Sequence, residues 1–286
     1  VSHVEWEWDL SLYAGSAAYY VQGRVAYTQA LIDRLVAELA LDGSGRLLDV
    51  GCGPGSLTLL LAPWFEQATG LDADAEMLAE GERQAGLAGI TNVDWIAARA
   101  EDLPPDLGPF QVATLAQSFH WMDRARVAAL IHRALATDGF LVHLHATTHE
   151  GVDTDAPTPY PRPPRREIDA LVKRFLGPRR RAGQGTLPPT PTSETELGTV
   201  EGTIYETAGF IDPTRIEVPG QMVVRSADQI VASMFSLSSA APHLFGDQRQ
   251  GFEAALRDLL AEASPTGQFS EQMRETAIDV WRRTGP

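Results

Sequence analysis

Three glycines at alternate positions, Gly51, Gly53 and Gly55, close a short apolar run over 47–50, and a helix-spaced apolar stretch over 56–62 follows them. An apolar run this short reads as a buried strand, and glycine is the residue that lets a chain reverse sharply at its end. Strand, tight turn and helix then repeat. Strands are expected over 67–71, 93–97, 111–116 and 139–145, with helices over 74–87 and 123–135 between them and Asp74 as an N-cap. Strands alternating with helices of this length imply parallel βαβ units with both faces covered. The expected fold is therefore α/β: a doubly wound, mostly parallel seven-stranded sheet with helices on both faces.

Around this core, five aromatic residues (Trp6, Trp8, Tyr13, Tyr19 and Tyr20) precede an amphipathic helix expected over 25–39. After it come helices near 195–208, 227–236 and 252–263, a stop at Gly209, and strands near 214–218 and 275–281. Residues 153–192 break the rhythm, because they hold nine of the 19 prolines and cannot supply central strands. A short helix over 167–176 still fits between them. Four consecutive pieces are expected: an N-terminal cap (1–45), a core (46–146), a Pro/Arg-rich insertion (147–200) that is either a surface linker or a substrate lid, and a C-terminal part completing the sheet (201–286).

The chain of 286 residues carries a formal charge of −15. Nucleic-acid binders need a surplus of Lys and Arg to displace counterions, so this balance argues against one. Cys52 is the only cysteine, which excludes an internal disulfide and any all-cysteine metal cage. The acidic, Trp-containing start is unlike a secretory signal, and no apolar run reaches the ~18 residues of a membrane span. A cytoplasmic protein without membrane partners is expected, either monomer or homodimer.

The glycine turn lacks the spacing of the dinucleotide fingerprint and the Lys-Ser/Thr of a phosphate loop. Its helix N-terminus is expected to offer free amides to an anion. The segment 47–55 resembles motif I of the class I methyltransferases that use S-adenosylmethionine, and later segments resemble that family in the same order. Asp72 ends the second strand, Ala100-Glu101-Asp102-Leu103-Pro104 follows the third, Gln117-Ser118-Phe119-His120-Trp121 the fourth, and 136–140 leads into the fifth. The likeness is to the small-molecule branch typified by ubiquinone biosynthesis, including trans-aconitate methyltransferase-like members. It covers about 20–146 well and the rest loosely.

That resemblance implies a Rossmann-like methyltransferase fold, S-adenosylmethionine as cofactor and S-adenosylhomocysteine as product. Gly51, Cys52 and Gly53 would line the methionine end, Asp49 would meet its ammonium directly or through water, and Asp72 with Ala73 and Met77 would hold the ribose side. Ala100, Glu101 and Gln117 would complete the pocket, with Arg99 standing where many relatives carry an acid or a small residue. Tyr20 and Arg24, four apart, would share a helix face over the cofactor's carboxylate. Cys52 reads as a small buried filler rather than a nucleophile.

On the acceptor side, His120 follows a strand end where open α/β sheets bind ligands, so it is a base or orienting donor, or else half of a packed pair with Trp121. Trp121 would wall the methyl pocket, and His145, near the acceptor cleft, is the second candidate catalytic residue. His143 and His145 share a strand face with His149 nearby, but Glu150 is the sole evident carboxylate partner, and no metal is expected. Segment 153–192 has a net charge of +4 against −19 for the remainder. Its arginines, Arg165 and Arg166 above all, either face solvent or meet an anionic acceptor bidentately. The expected activity is methyl transfer to a small molecule, at a carboxylate or hydroxyl oxygen. The alternative is a cofactor-binding relative that lacks methyl transfer.

Overall fold

The computed structural model describes residues 11–178, 181–182, 185–186 and 194–285, without side chains over 181–199. Trp6, Trp8, Arg179, Arg180, Pro188, Pro189 and Pro191, and the side chain of Arg181, lie outside what is described. The strands in chain order are β1 (Arg46–Val50), β2 (Gln67–Asp72), β3 (Val93–Ala97), β4 (Phe110–Ala116), β5 (Leu135–His145), β6 (Arg181–Ala182), β7 (Gly185–Thr186), β8 (Phe210–Val218), β9 (Met222–Ser226), β10 (Gln268–Gln272) and β11 (Thr276–Arg283). The α-helices are α1 (Ala17–Gly23), α2 (Gln29–Glu38), α3 (Thr58–Leu61), α4 (Ala75–Ala88), α5 (Arg124–Ala134), α6 (Arg165–Leu176), α7 (Glu194–Ala208), α8 (Ala227–Phe235) and α9 (Arg249–Ala263). No described helix is long and apolar enough to cross a membrane.

The chain divides into two interleaved units. One comprises Val1–Arg24, His149–Pro189 and Met222–Gln272; the other comprises Val25–Thr148, Thr190–Gln221 and Met273–Pro286. This division cuts across the four consecutive pieces expected from sequence: the Pro/Arg-rich segment and the N-terminal residues share one unit with α8, α9 and the β9–β10 pair.

The second unit holds a seven-stranded sheet in the order β3-β2-β1-β4-β5-β11-β8. Neighbours from β3 to β5 pair in parallel, and β11 runs antiparallel to both β5 and β8. Alternation along each strand makes two cores. Leu47, Val112, Val142 and Val280 enter a cluster with Leu31, Ile32 and Leu35 of α2. Their neighbours Leu48, Ala113, Leu141 and Trp281 enter another with Val127, Ala128 and Ile131 of α5 and Tyr205 of α7. Both faces are thus dry, as the apolar strand runs require. A fully buried leucine such as Leu47 contributes roughly 1.5–3 kcal/mol, and a charge in its place would open the first cluster.

The first unit packs α6, α8 and α9 around Phe235, Phe245 and Phe252, the last two stacked 4.2 Å apart. Gly23 ends α1 against α8 so closely that a Cβ there would lie 2.3 Å from the Ala232 carbonyl carbon. Arg225, 3% exposed, donates to Glu271 Oε2 (2.8 Å) and to the carbonyls of His149, Gln229 and Gly23.

Several local expectations change. The single helix over 25–39 is α2 alone, because Arg24 is extended (φ −89°, ψ 139°) and Thr28 caps α2 by accepting from Leu31 N. The helix over 56–62 shrinks to α3, with Pro63 opening a 3-10 turn, Ala62–Trp64. Strands β5 and β8 each begin four residues earlier than read. The pair β9–β10 was not foreseen: its buried positions include Arg225, Ser270 and Glu271, so hydrophobic alternation is masked.

Candidate functional site

β1 ends at a turn in which Gly51, Gly53 and Gly55 all have positive φ (68°, 55° and 75°). Each glycine is there for a different reason. A Cβ on Gly51 would lie 2.5 Å from Ser118 Cβ, and one on Gly55 would lie 2.5 Å from the Trp95 ring, whereas one on Gly53 would meet nothing within 4 Å. Gly53 therefore opens a cradle, and Gly51 and Gly55 allow the close packing that frames it.

The turn's amides do not remain free as the sequence suggests. Gly51 N and Cys52 N donate to Leu71 O (2.7 and 3.1 Å), Gly55 N to Cys52 O (3.0 Å), and Gly53 N to Asp72 Oδ2 (2.8 Å). Helix α3 has only four residues, too short to present an array of open amides. The turn is shaped by missing side chains, not by spare donors.

Asp72, at the end of β2, also accepts from Asp74 N through Oδ1 (2.9 Å). Each carboxylate oxygen has two acceptor sites, so one per oxygen remains for a diol. Burial pushes this carboxyl up to about 6, opposed by the hydrogen bonds from Asp74 and Gly53. Ala73 follows directly, and Met77 is buried in the first turn of α4, which Asp74 caps. Asp49 is 1% exposed, and its two oxygens accept from Thr58 Oγ1 (2.6 Å) and Thr114 Oγ1 (2.7 Å). Its burial raises the carboxyl against the pull of those hydroxyls. Asp49 ties β1, α3 and β4 together. Cys52 is buried, and desolvation first, then Asp72 and Asp49, hold its thiol well above the ordinary range, so it is no nucleophile.

Ala100 is buried at the 3-10 turn Ala100–Asp102, and Glu101 accepts from Asp123 N (2.8 Å) while Arg99 pairs with it at 3.4 Å. Arg99 thus answers an acid of its own turn. Gln117 stands in the left-handed region (φ 59°) at the exit of β4, its amide donating to Tyr27 Oη (3.0 Å), and Ser118 Oγ donates to Val50 O (2.7 Å). A non-glycine residue so placed marks a constrained position. His120 is exposed, 4.8 Å from the Trp121 ring.

Tyr20 and Arg24 belong to the helical unit. Arg24 is the residue after α1, not part of it; its guanidinium lies 4.6 Å over the Tyr20 ring and donates to Ser236 Oγ (2.8 Å) and Ser236 O (3.0 Å). Arg165 is likewise engaged: it donates to Glu271 Oε1 (2.6 Å) and His149 O (3.2 Å), while Arg166 is exposed. Glu271 feels the cost of burial, but Arg165 and Arg225 outweigh it and hold its carboxyl below the usual range.

A second polar group lies in the sheet unit. His145 Nε2 is 3.0 Å from Asp279 Oδ2, which also takes Arg215, and His143 Nδ1 is 2.9 Å from the Tyr205 hydroxyl. Glu201 of α7 comes 3.5 Å from His143 Nδ1. Sequence reading paired these histidines with His149 and Glu150, which sit next to each other in the helical unit; it missed Glu201, Tyr205 and Asp279, whose approach depends on the phase of α7 and the register of β11. Thr58, Thr114 and Trp95 were also missed. Their only signal is the glycines and the acid they contact.

Comparison with known proteins agrees with this geometry. Residues 47–139 match a family model described as a methyltransferase domain. A ubiquinone/menaquinone biosynthesis C-methyltransferase of Citrifermentans bemidjiense is 32% identical over 123 residues, 40% of this chain and 50% of that one. An uncharacterized RNA methyltransferase of Synechocystis is 32% identical over 99 residues, 35% of this chain and 21% of that one. The chain spans about half the length of the first curated relatives it matches, or less. The crystal structure of the [4+2]-cyclase SpnF shares the fold, with a TM-score of 0.50 and 22% identity over 92% of this chain and 85% of that one. The strand order, the glycine turn and the acid ending β2 go with this match: the segment 47–139 is similar to the methyltransferase domain of these proteins.

Proposed function

We propose that this chain transfers a methyl group from S-adenosylmethionine to a small-molecule acceptor at a carboxylate or hydroxyl oxygen. The observation that carries the reading is the open cradle over Gly53 joined to Asp72 by a 2.8 Å hydrogen bond. A cradle that a Cβ would fill, beside a carboxylate with acceptor capacity left over, fits a nucleoside with a ribose diol. Asp72 would hold that diol, Met77 and Ala100 would border the base, and Gly51 and Gly53 would admit the amino-acid end. Asp49, with both oxygens taken by Thr58 and Thr114, supports the turn and reaches an ammonium only through water.

When bound, the cofactor supplies a methyl on a cationic sulfonium. The chain's own task is to align the acceptor oxygen and exclude water, which can contribute several powers of ten. A hydroxyl acceptor must also lose its proton, and the exposed His120 is the group proposed to take it; a carboxylate acceptor needs no base. Arg165 is paired with Glu271, which it shares with Arg225. A cytoplasmic setting goes with this reading.

The test has two stages. Calorimetry with S-adenosylhomocysteine should show tight binding that Asp72→Ala abolishes. Mass spectrometry should then find methylated product among free carboxylic acids and phenols, and none with RNA. Methylated RNA would replace the small-molecule reading. Tight cofactor binding with no methylated acceptor would favour the second reading, a cofactor-binding protein with another reaction, for which the shared fold of a cyclase is the precedent.

A further inference from the structure

The polar group on β5 and α7 is assigned no step in the proposed methyl transfer, and it joins two histidines to a carboxylate. β5 sets His143 and His145 two residues apart, so both rings leave the same face of the sheet, 4.1 Å apart. α7 brings Glu201 to that face. One donor atom from each of the three residues lies within 4.8 Å of the other two.

Two of the three residues are buried and His145 is half-buried, unlike a surface patch of acids. His143 is 5% exposed and Glu201 is 6% exposed. The ion-pair contact of the Glu201 carboxylate, His143 Nδ1 at 3.5 Å, is longer than a hydrogen bond to a carboxylate should be. Among the described residues no donor lies closer to this carboxylate, and a cation at the centre of the cluster would offset the cost of burying it.

The imidazoles are held from outside as metal ligands are. Asp279 Oδ2 accepts from His145 Nε2 at 3.0 Å and is itself fixed by Arg215 Nη1 at 3.3 Å, so Nε2 carries the proton and Nδ1 keeps its lone pair. The Tyr205 hydroxyl, 2.9 Å from His143 Nδ1, fixes the other ring; accepting from Nδ1–H, it leaves the lone pair on Nε2 to ligate.

We propose that His143, His145 and Glu201 bind one divalent transition-metal ion of the zinc class, with Asp279 and Tyr205 orienting the two imidazoles. Two nitrogens and one oxygen suit zinc or cobalt, whereas magnesium and calcium take oxygen ligands. An ion drawing each donor in to about 2.0–2.2 Å would contract the cluster and leave a fourth position for water. The proposal runs against the expectation that the chain takes no metal.

The test uses the full chain stripped with chelator. It is titrated with Zn²⁺ against a chromophoric chelator, and with Co²⁺, whose visible absorption reports nitrogen and oxygen ligation. One equivalent should bind with a visible cobalt spectrum, and zinc should raise the melting temperature. His145→Ala and Glu201→Gln should each abolish uptake and the thermal shift while binding S-adenosylhomocysteine as the wild type does. Asp279→Asn should weaken zinc by about 10- to 100-fold. If the stripped wild-type chain takes up neither metal, or if Glu201→Gln and His145→Ala bind as the wild type does, the site is not a metal site. The wild-type titration decides the matter even where a variant fails to fold.

Discussion

Asp72 Oδ2 accepts a hydrogen bond from Gly53 N at 2.8 Å, so the end of β2 and the open point of the glycine turn form one rigid unit. Replacing Asp72 by Asn keeps the shape and removes the charge. Hydrogen bonds to charged groups contribute about 1.5–3 kcal/mol, so Asp72→Asn should weaken S-adenosylhomocysteine by about 10- to 100-fold. Isothermal calorimetry measures this, and an unchanged affinity would take Asp72 out of the cofactor site.

The raised carboxyl of Asp72 makes two opposite pH effects. Its folded value, about 6, lies above the ordinary 3.8, so the fold favours the protonated form; that stability is full below about 3.8 and is lost as pH rises through about 6. Ligand binding runs the other way, because only the ionised group is acceptor-only. Cofactor affinity should rise through about 6 in the wild type and stay flat in Asp72→Asn. A flat wild-type profile would contradict the assignment.

The two glycines of the turn should separate folding from binding. Gly51→Ala meets Ser118 at 2.5 Å in addition to the ~1–2 kcal/mol cost of a left-handed alanine, so it should lower the melting temperature sharply. Gly53→Ala carries only the backbone cost, yet its methyl enters the cradle. The expected outcome is a folded protein with much weaker S-adenosylhomocysteine binding, read by circular dichroism and calorimetry side by side.

Thr114→Val leaves one oxygen of the buried Asp49 without its 2.7 Å donor. An unsatisfied buried acceptor costs about 1–3 kcal/mol, and urea denaturation should show a loss in that range. A variant as stable as the wild type would mean that water replaces the hydroxyl.

In the helical unit, Glu271→Gln strands Arg225 and Arg165 together. Breaking a buried pair from one side costs about 3–5 kcal/mol, the largest loss expected of these substitutions. Because Glu271 is held below its ordinary value, the stability it adds is present above that value and is lost as pH falls. A double variant with Arg225→Met should recover part of the loss.

What could be read from sequence is what is written contiguously. The turn at Gly51, Gly53 and Gly55, the acid at 72 and the five parallel strands each lie within a few residues of their own signal. The partners of those residues do not. Glu201 reaches His143 across 58 residues, and Asp279 reaches His145 only because β11 pairs at that register. Strands β9 and β10 hid because Arg225 and Glu271 satisfy each other, so their buried faces read as polar. The helix read over 25–39 starts only at Gln29, because its cap, Thr28, lies inside the apolar run and leaves no mark in the periodicity.

The antiparallel strand between β5 and β8 follows both of them in the chain. Until residues 276–283 emerge, β5 has an open edge and β8 has no neighbour in the sheet. During synthesis the parallel half, with its glycine turn and Asp72, is therefore complete well before the sheet is closed. The chain should pass through a stage in which β5 presents an unpaired edge at Leu141, Val142 and Leu144.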